Sequence, residues 1–176
     1  MGMMIDLRPG MGPALVVGGG AVAARKARGL AEAAFPMTVI APVVDPIIRD
    51  LPGVTLLERA FQAHDIPSDA RFSLVFACTS SREVNKQVGS LARAARIPVV
   101  VADSQPESTF FTPAVIRDGD LAIAVSTGGA SPNLASAIRD QIVAALGTGW
   151  ATAVRAARSE RLQILASKPP PGQDAP

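Results

Sequence analysis

The chain is poor in the residues that most often announce chemistry. It holds one cysteine, Cys78, and one histidine, His64, in 176 residues. A lone cysteine excludes an internal disulfide framework and suits a reducing compartment. Neither residue has companions at metal-ligand spacing, so no zinc-type site is expected and no metal ligands are named. Cys78 ends an apolar run and reads as a packed thiol rather than a nucleophile, and His64 lies in a polar loop and reads as solvated surface. Charge of one sign is also lacking: 17 basic residues against 15 acidic ones leave a formal +2, too little to argue for nucleic acid. The sequence pI near 9.2 mildly favours an acidic small molecule. No apolar run is long enough to cross a membrane and no signal-peptide pattern precedes the first strand, so a soluble cytoplasmic protein is expected. There is no internal repeat.

What is present in quantity is apolar. Hydrophobic residues make up 48% of the chain and charged ones 18%, enough for a substantial core in one domain, or one domain with a small appendage. The most informative stretch runs from Ala14 to Lys26, Ala-Leu-Val-Val-Gly-Gly-Gly-Ala-Val-Ala-Ala-Arg-Lys. A short apolar run suits a buried parallel strand, the glycines a tight turn, and the remainder a helix starting at that turn. Gly18 allows the turn, Gly20 lets a pyrophosphate approach the backbone, and Ala23 stands where a third glycine would keep helix and strand close. Unpaired N–H groups and the positive end of the helix dipole would hold the phosphates. A bare tight turn is the rival reading, and the register against strand and helix favours a nucleotide-binding Rossmann start.

Along the chain, strands are predicted at Met3 to Leu7 (an edge strand), Ala14 to Val17, Met37 to Ile40, Val54 to Leu57, Phe72 to Ala77 and Ile97 to Ala102. Helices are predicted at Ala21 to Ala34 and Arg82 to Ala95. This alternation argues for an α/β, doubly wound parallel sheet. After Asp103 the pattern changes. Ala114 to Arg117 and Leu121 to Val125 read as a hairpin joined at Asp118-Gly119. Helices follow at about Asn133 to Leu146 and at Trp150 to Ala166, and the four-proline tail from Lys168 to Pro176 reads as disordered. The expected division is a dinucleotide-binding domain over 1–112, a small α+β domain over 113–147, and a short C-terminal helix with its tail over 148–176.

Three further places could carry chemistry. Thr79 ends the fourth core strand on the carboxyl edge where open sheets bind ligands, although it could equally cap the next helix. Asp103 ends the next strand on the same edge, where a carboxylate can act as general acid or base; an ordinary loop aspartate is as compatible. Ser126-Thr127-Gly128-Gly129-Ala130-Ser131-Pro132 can cap a helix or present N–H donors to an anion. Arg25, Lys26 and Arg28 read as a solvated helix face that an acidic substrate could use.

These residues together resemble a family. Val-Gly-Gly-Gly-x-Val-Ala-x-Arg-Lys at 17–26, Val-x-Asp ending at Asp103, then Phe110, Pro113-Ala114 and the Ser126 to Pro132 segment are similar to the siroheme synthase N-terminal module. Its members are precorrin-2 dehydrogenases, and some are also sirohydrochlorin ferrochelatases. The likeness runs from about Met3 to Trp150. It implies NAD-dependent oxidation of precorrin-2 to sirohydrochlorin on the way to siroheme or cobalamin, with Fe2+ chelation as a second step. Asp103 matches the catalytic aspartate. Gly18, Gly19, Gly20, Ala21 and Val22 match the phosphate turn, Pro42 and Val43 the residues beside the adenosine, and Thr79 a position near the cofactor. Ser126, Thr127, Gly128, Gly129 and Ser131 are carried over as substrate-binding. Pro113 to Leu146 matches a dimerisation domain, implying a homodimer with shared sites.

Where Rossmann proteins usually carry a ribose-binding acid this chain has Ala41-Pro42, with Asp45 three residues beyond Pro42, so these residues leave NAD against NADP open and the resemblance favours NAD. Family members have a larger C-terminal helical region over the tetrapyrrole. A shorter lid, Trp150 to about Ala166, is expected to spare dehydrogenation more than iron insertion. The other functional classes compatible with the residues are a non-catalytic NAD(P)-sensing regulatory module and another small-molecule NAD(P) oxidoreductase.

Overall fold

The computed structural model describes residues 2–167, so the tail from Lys168 to Pro176, expected to be disordered, lies outside the described residues. The chain divides into two compact units between Phe111 and Thr112.

The first unit is built on a five-stranded parallel sheet. Its strands are β1 (Ala14–Val17), β2 (Met37–Ile40), β3 (Val54–Leu57), β4 (Leu74–Ala77) and β5 (Val99–Val101), in the order β3-β2-β1-β4-β5. Ala14 pairs with both Met37 and Leu74, and Val17 with both Ile40 and Ala77, so β1, β2 and β4 end level at their carboxyl ends. The chain runs outward from β1 to β3, then crosses back to β4 on the other side of β1. That reversal opens a crevice at the carboxyl ends of β1 and β4, where doubly wound sheets take their ligands.

Strand alternation sorts the core into two faces. Ala14, Val16, Met37, Val39 and Phe76 pack under helix α1 (Ala21–Glu32) through Ala23, Ala24, Ala27 and Leu30. Leu15, Val17, Ile40, Val75, Ala77, Val99 and Val101 pack with Val88 and Ala92 of helix α3 (Arg82–Ala94) on the other face. Each fully buried Val, Leu, Ile, Met or Phe side chain among them contributes about 1.5–3 kcal/mol relative to exposure. Both helices stop the same way. Ala34 and Arg96 take left-handed φ values of 57° and 59°, and the N–H groups of Phe35 and Ile97 reach back to the carbonyls of Leu30 and Ala92 at 2.9 and 2.8 Å. Phe35 and Ile97 are themselves buried, which is the hydrophobic contact that usually closes such a C-terminal motif. Helix α1 therefore ends at Glu32 rather than continuing to Ala34.

The edge strand expected at Met3 to Leu7 is absent. Met3, Met4 and Ile5 stand exposed, and Leu7 packs against the α1-side core without joining a ladder. An apolar run becomes a strand only when a neighbour supplies its hydrogen bonds. The outer edge of β5 is taken by hydroxyls instead: the N–H of Val99 donates to Thr109 Oγ1 at 2.8 Å and that of Val101 to Ser108 Oγ at 2.9 Å. A one-turn helix α2 (Pro46–Arg49) was not expected from the sequence; Asp45 caps it by accepting from the Ile47 N–H at 2.9 Å.

The second unit holds a hairpin and two helices. Strands β6 (Ala114–Asp118) and β7 (Leu121–Val125) pair antiparallel around Gly119, whose φ is 58°. Helix α4 (Pro132–Leu146) packs on the hairpin, and α5 (Trp150–Ala166) follows it. The turn between them is pinned by the Trp150 Nε1–H on the Leu146 carbonyl at 3.0 Å and the Gly149 N–H on Asp118 Oδ2 at 3.1 Å. Arg158 of α5 pairs with Asp120 of the hairpin turn at 2.9 Å.

Candidate active site at the carboxyl edge of the parallel sheet

The three glycines after β1 have three different reasons to be glycine. Gly18 has φ 125°, and a Cβ there would lie 2.3 Å from the Cys78 carbonyl oxygen at the end of β4. Gly19 is pressed against the segment after β2: a Cβ would lie 2.0 Å from the Val43 carbonyl oxygen, while its own carbonyl accepts the Asp45 N–H at 2.7 Å. Gly20 faces open space, with nothing within 4 Å of an added Cβ. It is the N-cap of α1 and offers no side chain to the first-turn N–H groups. Ala23, in the place of a third glycine, is fully buried against the sheet.

An open backbone cradle at an uncapped helix N-terminus fits the pyrophosphate of a dinucleotide. Next to it Pro42 and Val43 are exposed, Val43 to 79%, an apolar surface of the kind an adenosine ring covers. Asp45, the nearest acid, is already engaged as the α2 cap, and the following cation, Arg49, is doubly bonded to Glu58 at 2.6 and 2.7 Å.

Across the crevice, the loop after β4 is held by a residue that sequence reasoning missed. Asn85 is the one polar residue buried among the described residues, with 0% exposure. Its Oδ1 accepts the Thr79 N–H at 2.9 Å and its Nδ2–H donates to the Thr79 carbonyl at 3.0 Å. The signal was there, since Asn85 lies three and seven residues before the buried Val88 and Ala92. A polar letter on a buried helix face needs local partners. Thr79 is not the helix cap: Ser81 caps α3 by accepting from the Val84 N–H at 3.4 Å, and Thr79 Oγ1 accepts the Ser81 N–H at 3.1 Å one turn earlier.

Asp103 follows β5 on the same carboxyl edge, with its side chain 38% exposed. Arg82 approaches it, Nη1 to Oδ1 at 3.4 Å, while the other amino group of Arg82 binds the Glu107 carboxylate. Arg82 accordingly holds the Glu107 carboxyl below the usual carboxylate range. Cys78 is packed as expected: burial pushes its thiol up to about 11. Lys26 departs from the exposed face assigned to it. It is half-buried, its ammonium 5.8 Å from the centre of the Phe76 ring, and burial lowers its pKa. Phe110 meets the same ring edge-on at 5.6 Å. His64 is exposed.

In the second unit the Ser126 to Pro132 segment closes on itself. Ser131 caps α4 by accepting the Leu134 N–H at 3.2 Å, and Thr127 Oγ1 accepts the Ser131 N–H at 3.0 Å. Ser126 Oγ accepts the Gly128 N–H at 3.1 Å, and Gly128 and Gly129 have φ of 63° and 86°. No group of three or more His, Cys, Asp or Glu among the described residues could hold a metal ion. No helix among them is long and apolar enough to cross a membrane.

Comparison with known families assigns the first unit. A family model described as "Putative NAD(P)-binding" matches residues 4–114. The chain belongs to this NAD(P)-binding family. A second model, "Sirohaem biosynthesis protein central", matches residues 118–145, so the segments named in the resemblance occur in the order it implied. The siroheme synthase of Methylococcus capsulatus is 36% identical over 90% of this chain and 34% of its own length. That of Pseudomonas entomophila is 40% identical over 76% of this chain and 29% of its own length. The chain thus spans about a third of the curated relatives it matches. Among solved structures, "SirC, precorrin-2 dehydrogenase" superposes with a TM-score of 0.72 at 24% identity, covering 98% of this chain and 84% of that one. At that identity the likeness is one of fold, and it matches the Rossmann-like sheet with a small antiparallel sheet and helices after it.

Proposed function

We propose that the chain oxidises precorrin-2 to sirohydrochlorin with NAD as a homodimer, and that Fe2+ insertion into the product can follow. One observation carries the reading: an uncapped glycine turn and an exposed acid, Asp103, share the carboxyl edge of one parallel sheet. Bound nicotinamide supplies the two-electron acceptor. The residues of the chain do the rest. Gly20 and the first N–H groups of α1, from Ala21 and Val22 onward, hold the pyrophosphate, with Gly18 and Gly19 shaping the turn. Pro42 and Val43 support the adenosine, and the Thr79 loop, fixed by Asn85, borders the cofactor. Asp103 accepts a proton that leaves the tetrapyrrole as it is desaturated.

The choice of NAD over NADP rests on charge. Of the charged residues that follow β2, Asp45 is an acid and the first cation, Arg49, is committed to Glu58, which disfavours a 2′-phosphate. Ser126, Thr127, Gly128, Gly129 and Ser131 are assigned to substrate carboxylates, with the Ser126 and Ser131 hydroxyls as donors because the Gly128 and Ser131 N–H groups are already bonded within the loop. Leu134, Val143 and Leu146 of α4 and Leu162, Ile164 and Leu165 of α5 are more than 40% exposed, which favours a protein partner for this unit, here a second copy.

The test is anaerobic turnover with freshly generated precorrin-2 and NAD, followed by absorbance of sirohydrochlorin and NADH. Cofactor-dependent formation of both is expected, and Asp103→Ala should keep NAD affinity while losing turnover. Binding of NAD without conversion by the wild-type chain would favour a sensing module instead.

A further inference from the structure

We propose that Arg82, anchored by Glu107, is the positioning residue that aims the Asp103 carboxylate at the substrate. This rests on the dehydrogenase reading of Asp103. Arg82 is the first residue of α3, so its guanidinium emerges at the carboxyl edge of the sheet. It spans two carboxylates on the segment after β5, bonded closely to Glu107 and standing 3.4 Å from Asp103 Oδ1. The unequal division matters. Glu107 takes the strong bond, while the contact to Asp103 is at the outer limit of a hydrogen bond. Arg82 therefore steers Asp103 through one oxygen without neutralising it, and the second carboxylate oxygen is left to meet a proton.

The anchor is built to stay in place. Arg93, three turns further along α3, donates to the Glu107 main-chain carbonyl at 2.6 Å, so one helix grips this residue by both side chain and backbone. Ser108, next in the chain, closes the loop by donating to the Ser104 carbonyl at 3.0 Å and receiving the Val101 N–H. Glu107 is the deepest of the three charged side chains at 23% exposure, against 44% for Arg82 and 38% for Asp103. Its Oε2 is buried without a hydrogen-bond partner among the described residues, so the hydrogen bonding of this carboxylate rests on Arg82. Order passes from the loop to Glu107, to Arg82, and on to Asp103.

The experiment compares Arg82→Met, Arg82→Lys and Glu107→Gln with wild type, alone and in an Asp103→Asn background, under the anaerobic assay. Arg82→Met should lower kcat about tenfold, a fraction of the roughly 100- to 10,000-fold that acid–base groups contribute. KM for precorrin-2 and NAD affinity should stay within about twofold. Arg82→Lys should recover part of the loss, and Arg82→Met should add nothing once Asp103 is Asn. A rise in KM alone would overturn the proposal in favour of a guanidinium that binds a substrate carboxylate. Unchanged kcat, or effects that multiply with Asp103→Asn, would also overturn it. If Arg82→Met fails to fold, Glu107→Gln decides, because loosening Arg82 must lower kcat. An inactive wild type would instead sink the dehydrogenase reading. In that event the proposal falls with the reading it rests on, whereas an active wild type beside an Arg82→Met protein of unchanged kcat overturns the proposal alone.

Discussion

The glycine turn allows a prediction in which three adjacent substitutions to alanine separate folding from binding. At Gly18 the backbone φ of 125° suits glycine, and the added methyl would lie 2.3 Å from the Cys78 carbonyl oxygen. Left-handed strain costs about 1–3 kcal/mol and forced overpacking about 1–3 more, so Gly18→Ala should lose about 2–6 kcal/mol. Gly19→Ala meets the Val43 carbonyl oxygen at 2.0 Å with no strained φ, so it should lose about 1–3 kcal/mol. Gly20→Ala differs in kind. Its φ of −88° and ψ of −169° are open to alanine and its methyl meets no protein atom. The poorer N-cap and the reduced freedom of the unfolded chain roughly cancel, leaving stability within about 1 kcal/mol of wild type. The methyl does occupy the place assigned to the pyrophosphate, so cofactor affinity should fall at least about tenfold, or ~1.4 kcal/mol. Thermal melts and titration of NADH fluorescence read the two quantities separately. A Gly20→Ala protein that binds NADH like wild type would refute the phosphate assignment. A Gly18→Ala protein that melts like wild type would refute the geometry of the turn.

Other perturbations follow from single contacts. Asn85→Ala leaves the Thr79 N–H and carbonyl without their partners, and should lower the urea-derived stability by about 2–4 kcal/mol; a loss under ~0.5 would contradict the pinning role. Ala34→Gly and Arg96→Gly relieve left-handed strain at the two helix ends, and each should raise stability by about 0.5–1 kcal/mol in chemical melts; a lowered midpoint would contradict the strain. With its thiol raised to about 11, native Cys78 should resist a disulfide reagent at pH 8 and react once unfolded; rapid native labelling would show it exposed. Asp65 is held below the ordinary carboxylate range, first by its hydrogen bond to Arg59. Folding thus favours its charged form, and that stabilisation, complete above the unfolded value near about 4, is lost as pH falls through the lower folded value. Asp65→Asn should flatten the acid limb of the stability curve, and an unaltered limb would refute the pairing.

Much of this architecture was legible because it is written locally. Met37–Ile40, Val54–Leu57, Leu121–Val125 and Trp150–Ala166 form as their apolar spacing predicts. The glycine turn was readable for the same reason, since strand, turn and helix are contiguous. Short elements were not: α2 is a single turn defined by the Asp45 cap, too brief for a periodicity to develop. Met3 to Leu7 failed in the opposite direction, having the letters of a strand and no partner edge.

The site shows the same division. Sequence position alone put Gly18, Gly20, Thr79 and Asp103 at strand ends, and in a parallel sheet strand ends of one sense share an edge. It could not say that Gly19 must be bare because Val43 presses on it, or that Cys78 closes over Gly18. Nor could it show that Asn85 holds the Thr79 loop, or that Arg82 and Glu107, 25 residues apart, bracket Asp103. The chain by itself determined which segments are strand, turn and helix, since backbone preference and apolar period act over a few neighbours. Only the tertiary structure decided which side chains meet at the edge, because strand order brings together residues whose separation along the chain carries no signal of their contact.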